Sequence, residues 1–270
     1  MPSGLYPRQM FISADARCAR LAAWGTAVLR NRVGMDDALD AIMRDDEVMT
    51  ISDLPGDTDA ASLAWGIGRL RQLGVSGLVF VPAFPGDVSG LPGPLEFNAA
   101  AVRAGGAVVT ADGEPLGLIP TVDVRGHGDD TVTEVDWRSQ HVSGFALPPV
   151  ESLSDSERRL MEAMHQALTD LAALDVAQWR DEVTHLLKDW RHAAAEESLP
   201  PGVTERAALL IDRCERLGDL LSLATSDDGG AITAVEAELR RASLQPLIRA
   251  VHAAGATAWN CGLSPSRSGD

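Results

Sequence analysis

Asp53, Asp57 and Asp59 form one group of oxygen-bearing side chains in this sequence, and Asp87, Ser89, Glu96 and Asn98 form a second. Each group holds the tripeptide Pro-Gly-Asp, at 55–57 and 85–87, directly after a stretch that reads as a strand. A mainly acidic oxygen set is the chemistry of a hard cation such as Mg²⁺, which takes one or two carboxylates and completes its shell with water and substrate. It is equally the chemistry that attracts a cationic ligand or a basic protein surface. Two functions follow. The first is a non-catalytic binding or regulatory protein with a ligand or partner site on loops 53–59 and 82–98 and no cofactor. The alternative is a divalent-metal-dependent hydrolase or transferase in which Asp57 and Asp87 hold the ion, supported by Asp53, Asp59 or Glu96. A plainer role competes with both: Pro-Gly-Asp is an ordinary turn, Asp57 can cap a helix, and Asp59 suits the positive end of its dipole.

Other chemistries find little footing. No GxxxxGK[ST] loop is present, Gly66-Ile67-Gly68 lies within a helical pattern without a third glycine, and Lys188 is the only lysine. His127 and His141 flank a late hairpin, and Ser89 has no GxSxG elbow around it. In the second half, Glu162-Ala-Met-His165 and Glu182-Val-Thr-His185 repeat Glu-x-x-His, with Asp189 and His192 at the same spacing. That spacing resembles the ligand pattern of ferritin-like di-iron carboxylate proteins, whose ligands project into a four-helix bundle. The helical wheel opposes it. Trp179, Val183, Leu186, Leu187 and Trp190 form the apolar stripe of one helix, and Leu160, Met164, Leu168 and Leu171 that of another. The acidic and imidazole groups fall largely off those stripes, as a solvent-facing charged face does.

The elements that must position the two loops can be read from periodicity. Residues 14–31 and a second segment near Asp36 and Asp37 are amphipathic helices. Glu47–Leu54 is β-like, a helix spans about Thr58 to Leu73, and Gly77–Phe84 (GLVFVPAF) is the continuous apolar run of a strand buried on both faces. A short helix around Phe97–Ala104 precedes four candidate strands: Ala107–Ala111, Pro115–Ile119, Thr131–Trp137 and Val142–Leu147, with turns at Asp112-Gly113 and Gly126–Asp130. This order suggests an α+β fold, a mixed sheet with a βαβ core and packed helices. If the strands before the two Pro-Gly-Asp turns are parallel neighbours, both loops leave the same sheet edge, where open α/β sheets bind ligands.

After Pro148-Pro149 the pattern is helical at about 154–174, 176–195, 203–224 and 231–254, an antiparallel all-α bundle in which Pro246 should kink or split the last helix. Cys214 sits on an apolar stripe with Leu210, Leu217 and Leu221. The expected domains are residues 1–149, residues 150–260 and a disordered tail at 261–270.

Composition sets the outer bounds. The 270 residues are 45% hydrophobic and 23% charged, enough apolar material for a substantial core. The net charge of −16 divides evenly, with 19 acidic against 11 basic groups in residues 1–150 and 20 against 12 in residues 151–270. An acidic surface of that kind argues against nucleic acid or an anionic membrane as partner and leaves a protein partner, self-association or a small-molecule ligand. Three cysteines without CxxC spacing read as reduced thiols. With no apolar run of membrane-spanning length and no leader-like start, the expected compartment is the cytoplasm. Trp24 and Trp65 lie on helical faces, and an exposed tryptophan there would mark a partner surface.

Overall fold

Six strands form one mixed sheet, and what orders them is which side chains each strand must share with its neighbour. The computed structural model describes residues 10–44, 46–57, 59–88, 90–126, 131–144, 151–173, 199–226 and 234–263. In chain order these give α1 (Met10–Leu29), α2 (Met35–Met43), β1 (Val48–Ser52), β2 (Ala61–Ser62), α3 (Leu63–Gln72), β3 (Leu78–Pro82) and α4 (Leu95–Ala104). Then come β4 (Gly106–Thr110), β5 (Leu116–Arg125), β6 (Val132–His141), α5 (Leu153–Ala173), α6 (Glu205–Ser226), α7 (Ala234–Trp259) and a final 3₁₀ turn, Asn260–Leu263. The α+β expectation is met.

The sheet order is β2-β1-β6-β5-β4-β3, and only β1 and β6 run parallel. The expected βαβ core of parallel neighbours is therefore not formed. β1 and β3 are separated by three strands, and the chain of antiparallel pairings between β6 and β3 makes them run in opposite directions. Side-chain chemistry supplies the reason: β1 alternates Met49 and Ile51 with Thr50 and Ser52, which matches Val135 and Trp137 alternating with Asp136 on β6. β3 is apolar on both faces, with four of its five residues buried, and offers the hydroxyls of β1 no partner.

Helices cover the sheet at close range where glycine permits. Gly25 of α1 and Gly66 of α3 lie so near one face that an added Cβ would stand 2.7 Å from Leu78 and 2.1 Å from Ile51. On the opposite face α4 lays Phe97 over Gly117, and Val79, Val81, Ala101, Val109, Ile119 and Val142 complete that core. The helix α3 starts later than its periodicity suggests, because residues 61–62 first pair with β1 and Ser62, not Asp57, accepts the Trp65 amide as N-cap. Val142 extends no fourth late strand within the described residues; it packs on α4 instead. The hairpin strands β5 and β6 are instead longer than expected, ten residues each.

The outer edge of β3 is sealed by side chains. Thr26 Oγ1 accepts the Leu78 amide at 2.8 Å and donates to the Leu78 carbonyl at 3.1 Å. Two residues on, Asn260 Oδ1 accepts the Phe80 amide at 2.9 Å while its Nδ2 donates to the Phe80 carbonyl at 2.8 Å. Pro82, the next outward residue, has no amide hydrogen to offer. Every other residue of an edge strand presents its backbone outward, so this edge is closed to further pairing. The Asn260–Leu263 turn is fastened by Arg30, which donates to the Gly262 and Leu263 carbonyls at 2.9 and 3.0 Å. Residues 261–263 thus belong to an ordered turn and not to the disordered tail expected there; residues 264–270 lie outside the described residues.

Two compact units result: residues 13–150 with 198–204 and 259–270 surround the sheet, and residues 1–12, 151–197 and 205–258 form a helical unit. In the helical unit, α6 buries Ala207, Leu210, Ile211, Cys214, Leu217 and Leu221 at helical spacing. Burial pushes the Cys214 thiol up to about 12, so it is an unreactive packing group. Arg206 donates to Glu157 on α5 at 2.7 Å and holds that carboxyl below its ordinary range. α7 runs through Pro246 without being split. The segment expected as a helix at 176–195 lies outside the described residues.

The Asn260 side chain replaces a missing strand at one residue only. We expect Asn260→Ala to lower the protection of the Phe80 amide by about tenfold in native-state hydrogen exchange, in line with ~1 kcal/mol for one hydrogen bond, while β5 and β6 amides keep theirs.

Candidate functional site

The two Pro-Gly-Asp segments fold into the same local structure. In each, proline takes the second position of a four-residue turn and glycine the third, with φ of 83° at Gly56 and 84° at Gly86, the signature of a type II turn. The Asp57 amide donates to the Leu54 carbonyl and the Asp87 amide to the Phe84 carbonyl, both at 2.9 Å. Position 56 suits glycine because its φ of 83° strains any other residue, and Arg69 of α3 reaches across it to donate to the Pro55 carbonyl at 2.7 Å. Asp57 Oδ1 turns back to accept the Asp59 amide at 3.2 Å. The turn chemistry of these residues is therefore real, and it accounts for much of their conformation.

Where the turns lie decides what they can do together. β1 and β3 stand four inter-strand steps apart, or ~19 Å at the usual spacing, and their C-terminal ends point in opposite directions. The first loop carries Asp53, Asp57 and Asp59, with the Asp59 amide bonded to Asp57 and Asp53 turned to Arg138; Asp87, Glu96 and Asn98 belong to the far edge of the sheet. No single ion can be shared by Asp57 and Asp87 across that distance, which corrects the two-carboxylate metal centre expected from the repeated tripeptide. Among the described residues no group of three or more His, Cys, Asp or Glu side chains is arranged to hold a metal ion.

The second loop uses its polar residues for support. Asn98 Oδ1 accepts the Gly93 amide at 3.0 Å and thereby fixes the entry to α4. Glu96 is exposed in the first turn of α4, next to Leu95, which is 78% exposed, and Val88 on the same loop is 48% exposed. Ser89 lies outside the described residues, as do His127, Glu182, His185, Asp189, His192, Trp179 and Trp190. Glu162 and His165 are exposed on α5, with Glu162 paired to Arg158 at 3.0 Å, so this part of the Glu-x-x-His pattern faces solvent.

The first loop has more chemistry around it than the acidic residues alone. Asp53, held at a φ of 60°, lies 3.4 Å from the guanidinium of Arg138 on β6. Trp65 stands one helical turn before Arg69, on the side of α3 away from Leu63, Ile67 and Leu70, and is 43% exposed. Trp24, in contrast, is buried. Arg69 and Arg138 were not visible as site residues in the sequence, since nothing in a lone arginine marks the backbone carbonyl or carboxylate it will meet.

Behind this loop lies a partly buried polar cluster on the same sheet face that carries α4. Asp136 accepts a hydrogen bond from Thr50 Oγ1 at 2.8 Å and from Ser52 Oγ at 2.7 Å. The cluster joins β1 to β6 immediately before the first turn and so sets where that turn emerges. The spacing of Thr50 and Ser52, two residues apart on a strand, was the available signal; the partner strand was not. A crevice lined by Thr26, Arg32, Leu78, Pro200, Trp259 and Leu263 has a free volume of about 10 Å³, room for one water and not for a substrate.

These features define a mixed-sheet α+β protein continued by a helical part, with turn-borne acidic groups on two separate edges. The chain belongs to the Rv1486c-like family: residues 18–152 match the family described as the N-terminal domain of the Rv1486c-like protein, and residues 154–256 match its C-terminal domain. It is 24% identical over 272 residues to a protein of Mycobacterium tuberculosis strain H37Rv described as "Uncharacterized protein Rv1486c", covering 87% of this chain and 92% of that one. The same figures hold for "Uncharacterized protein MT1533" of strain CDC 1551. No solved structure matches the chain.

The two kinds of aspartate should separate on substitution. Asp136→Ala, which removes the acceptor of two hydroxyls, is expected to cost ~2 kcal/mol in urea unfolding. Asp57→Asn and Asp87→Asn, at turn positions, should each stay within about 0.5 kcal/mol.

Proposed function

We propose that this chain is a cytoplasmic, non-catalytic binding protein that engages a protein partner through the segment around the first turn. The observation that carries this reading is Trp65, 43% exposed on a helix that otherwise buries its large apolar side chains. Tryptophan is enriched where protein surfaces meet, because its large apolar body gains much on burial and its indole N–H selects a partner acceptor. Asp53, Asp57 and Asp59 supply a polar rim, and Arg69 holds the turn rigid against α3, so the surface would be pre-formed before binding. The rim favours a partner with basic groups. The second loop, with Val88, Leu95 and Glu96, would serve as a separate contact, since it leaves the opposite edge. The helical half, read as an antiparallel bundle, would support assembly or carry a further contact.

A photo-crosslinking amino acid placed at position 65, with one at position 103 on α4 as control, tests this in cell extract. We expect one defined protein adduct at 65 that weakens about tenfold when Asp53→Lys and Asp59→Lys are introduced together. Adducts at 65 that match those at 103, or that ignore both charge changes, would contradict the proposal.

A further inference from the structure

Among the described residues, a stretch of the β5 edge has no neighbouring strand. β4 pairs with β5 through Val108 opposite Leu118 and Val109 opposite Gly117, and it begins at Gly106, which the same register sets opposite Pro120. Beyond that point, among the described residues, β5 has only β6 beside it, and Thr121–Arg125 are all exposed while the first five residues of the strand are buried. The backbone groups facing outward there can be assigned. Leu116 donates its amide toward β4, to Thr110 Oγ1 at 3.0 Å, and strand alternation turns the amides and carbonyls of Val122 and Val124 to that same side, where β4 has ended. Val124 is 60% exposed and Val122 39% exposed. The contrast with β3 is physical: there the outward groups of Leu78 and Phe80 are filled by Thr26 and Asn260, whereas here no described strand or side chain fills them.

We propose that this edge pairs with the same edge of a second copy of the chain, antiparallel and across a two-fold axis through Val124, so that two sheets join into one. The sequence Val122-Asp123-Val124-Arg125 is complementary to itself in that register. Val124 meets its symmetry mate and exchanges both backbone hydrogen bonds with it. Asp123 then stands opposite Arg125 of the other copy, twice, at the closely spaced positions where antiparallel side chains approach most nearly. Other registers fit less well. Centring the axis on Asp123 would oppose two carboxylates, and centring it on Val122 would bring Pro120, which has no amide hydrogen, against Val124. Asp123 and Arg125 are at present 2.8 Å apart within one chain, and Arg125 also pairs with Glu134 of β6 at 3.1 Å; the Asp123 and Arg125 side chains are 58% and 65% exposed, so both can turn to a neighbour while Glu134 keeps its place beside them. Such an interface is isologous and closed, which ends the assembly at two copies and consumes the open edge. This inference does not rest on the partner surface around Trp65.

Sedimentation or native mass spectrometry of the full chain tests it by charge exchange. The wild type should show a concentration-dependent dimer. Asp123→Arg and Arg125→Asp should each weaken self-association by about tenfold or more, because each variant opposes like charges twice. An equal mixture of the two variants should recover a heterodimer close to wild-type affinity, which also shows that both variants fold. Val124→Pro, which removes the central donor, should weaken the dimer without charge change. A wild type that stays monomeric up to about 100 µM, a dimer indifferent to all three substitutions, or a mixture that fails to recover would overturn the proposal.

Discussion

The carboxylate of Asp136, taking hydroxyl hydrogens from Thr50 and Ser52, is the interaction on which the arrangement of the sheet unit depends. It sits on the one parallel joint of the sheet and ties the first strand to the last. On the reverse side of the same residues, Met49 and Ile51 lie beside Val135 and Trp137, with Trp137 fully buried. The joint is therefore amphipathic in register: a polar latch on one face and apolar packing on the other. A slip of one residue would bury the hydroxyls and expose the indole, so the register is strongly specified.

That joint fixes the far side of the sheet as well. With β1 committed to β6, the hairpin β5–β6 and the meander back through β4 carry β3 to the opposite margin. Two turns with the same sequence then emerge at opposite ends of strands that run in opposite senses. Each does the same local work, and neither can complete a cation's shell with the other's oxygens. The margin formed by β3 would be a liability, because its five residues are all apolar and two of them are β-branched. Thr26 and the chain's own Asn260 close it, with Arg30 holding the turn that carries Asn260 in place.

Much of the local structure was legible in the sequence. The run at 77–84 announced a strand buried on both faces, the Asp112-Gly113 turn announced an antiparallel pair, and the stripe around Cys214 announced a buried helical face. The α+β class followed from those elements. Strand adjacency did not, because it depends on which of several compatible faces meet: the repeat of Pro-Gly-Asp pointed to neighbouring strands, while the Thr50 and Ser52 alternation that selects β6 was readable only once Asp136 was known to oppose it. Asn260 was illegible for a related reason, since an asparagine 180 positions from Phe80 carries no local sign that its amide will stand in for a strand. Trp65 could be placed on a helical face by sequence, but its exposure depended on how α3 rests on β1. Gly66 and Ile51 decide that contact.

The separation of the two turns is the claim with the most at stake, because the sheet order, the loss of a shared metal centre and the placing of the partner surface all rest on it. Spin labels at Asp57→Cys and Asp87→Cys, in a chain whose Cys18, Cys214 and Cys261 are replaced by serine, report that distance directly by pulsed dipolar spectroscopy. The account predicts a distribution centred beyond about 20 Å, from four inter-strand steps and opposite strand ends. A distribution centred below about 15 Å would place the turns on one edge, restore the parallel-neighbour topology, and contradict the β1–β6 joint.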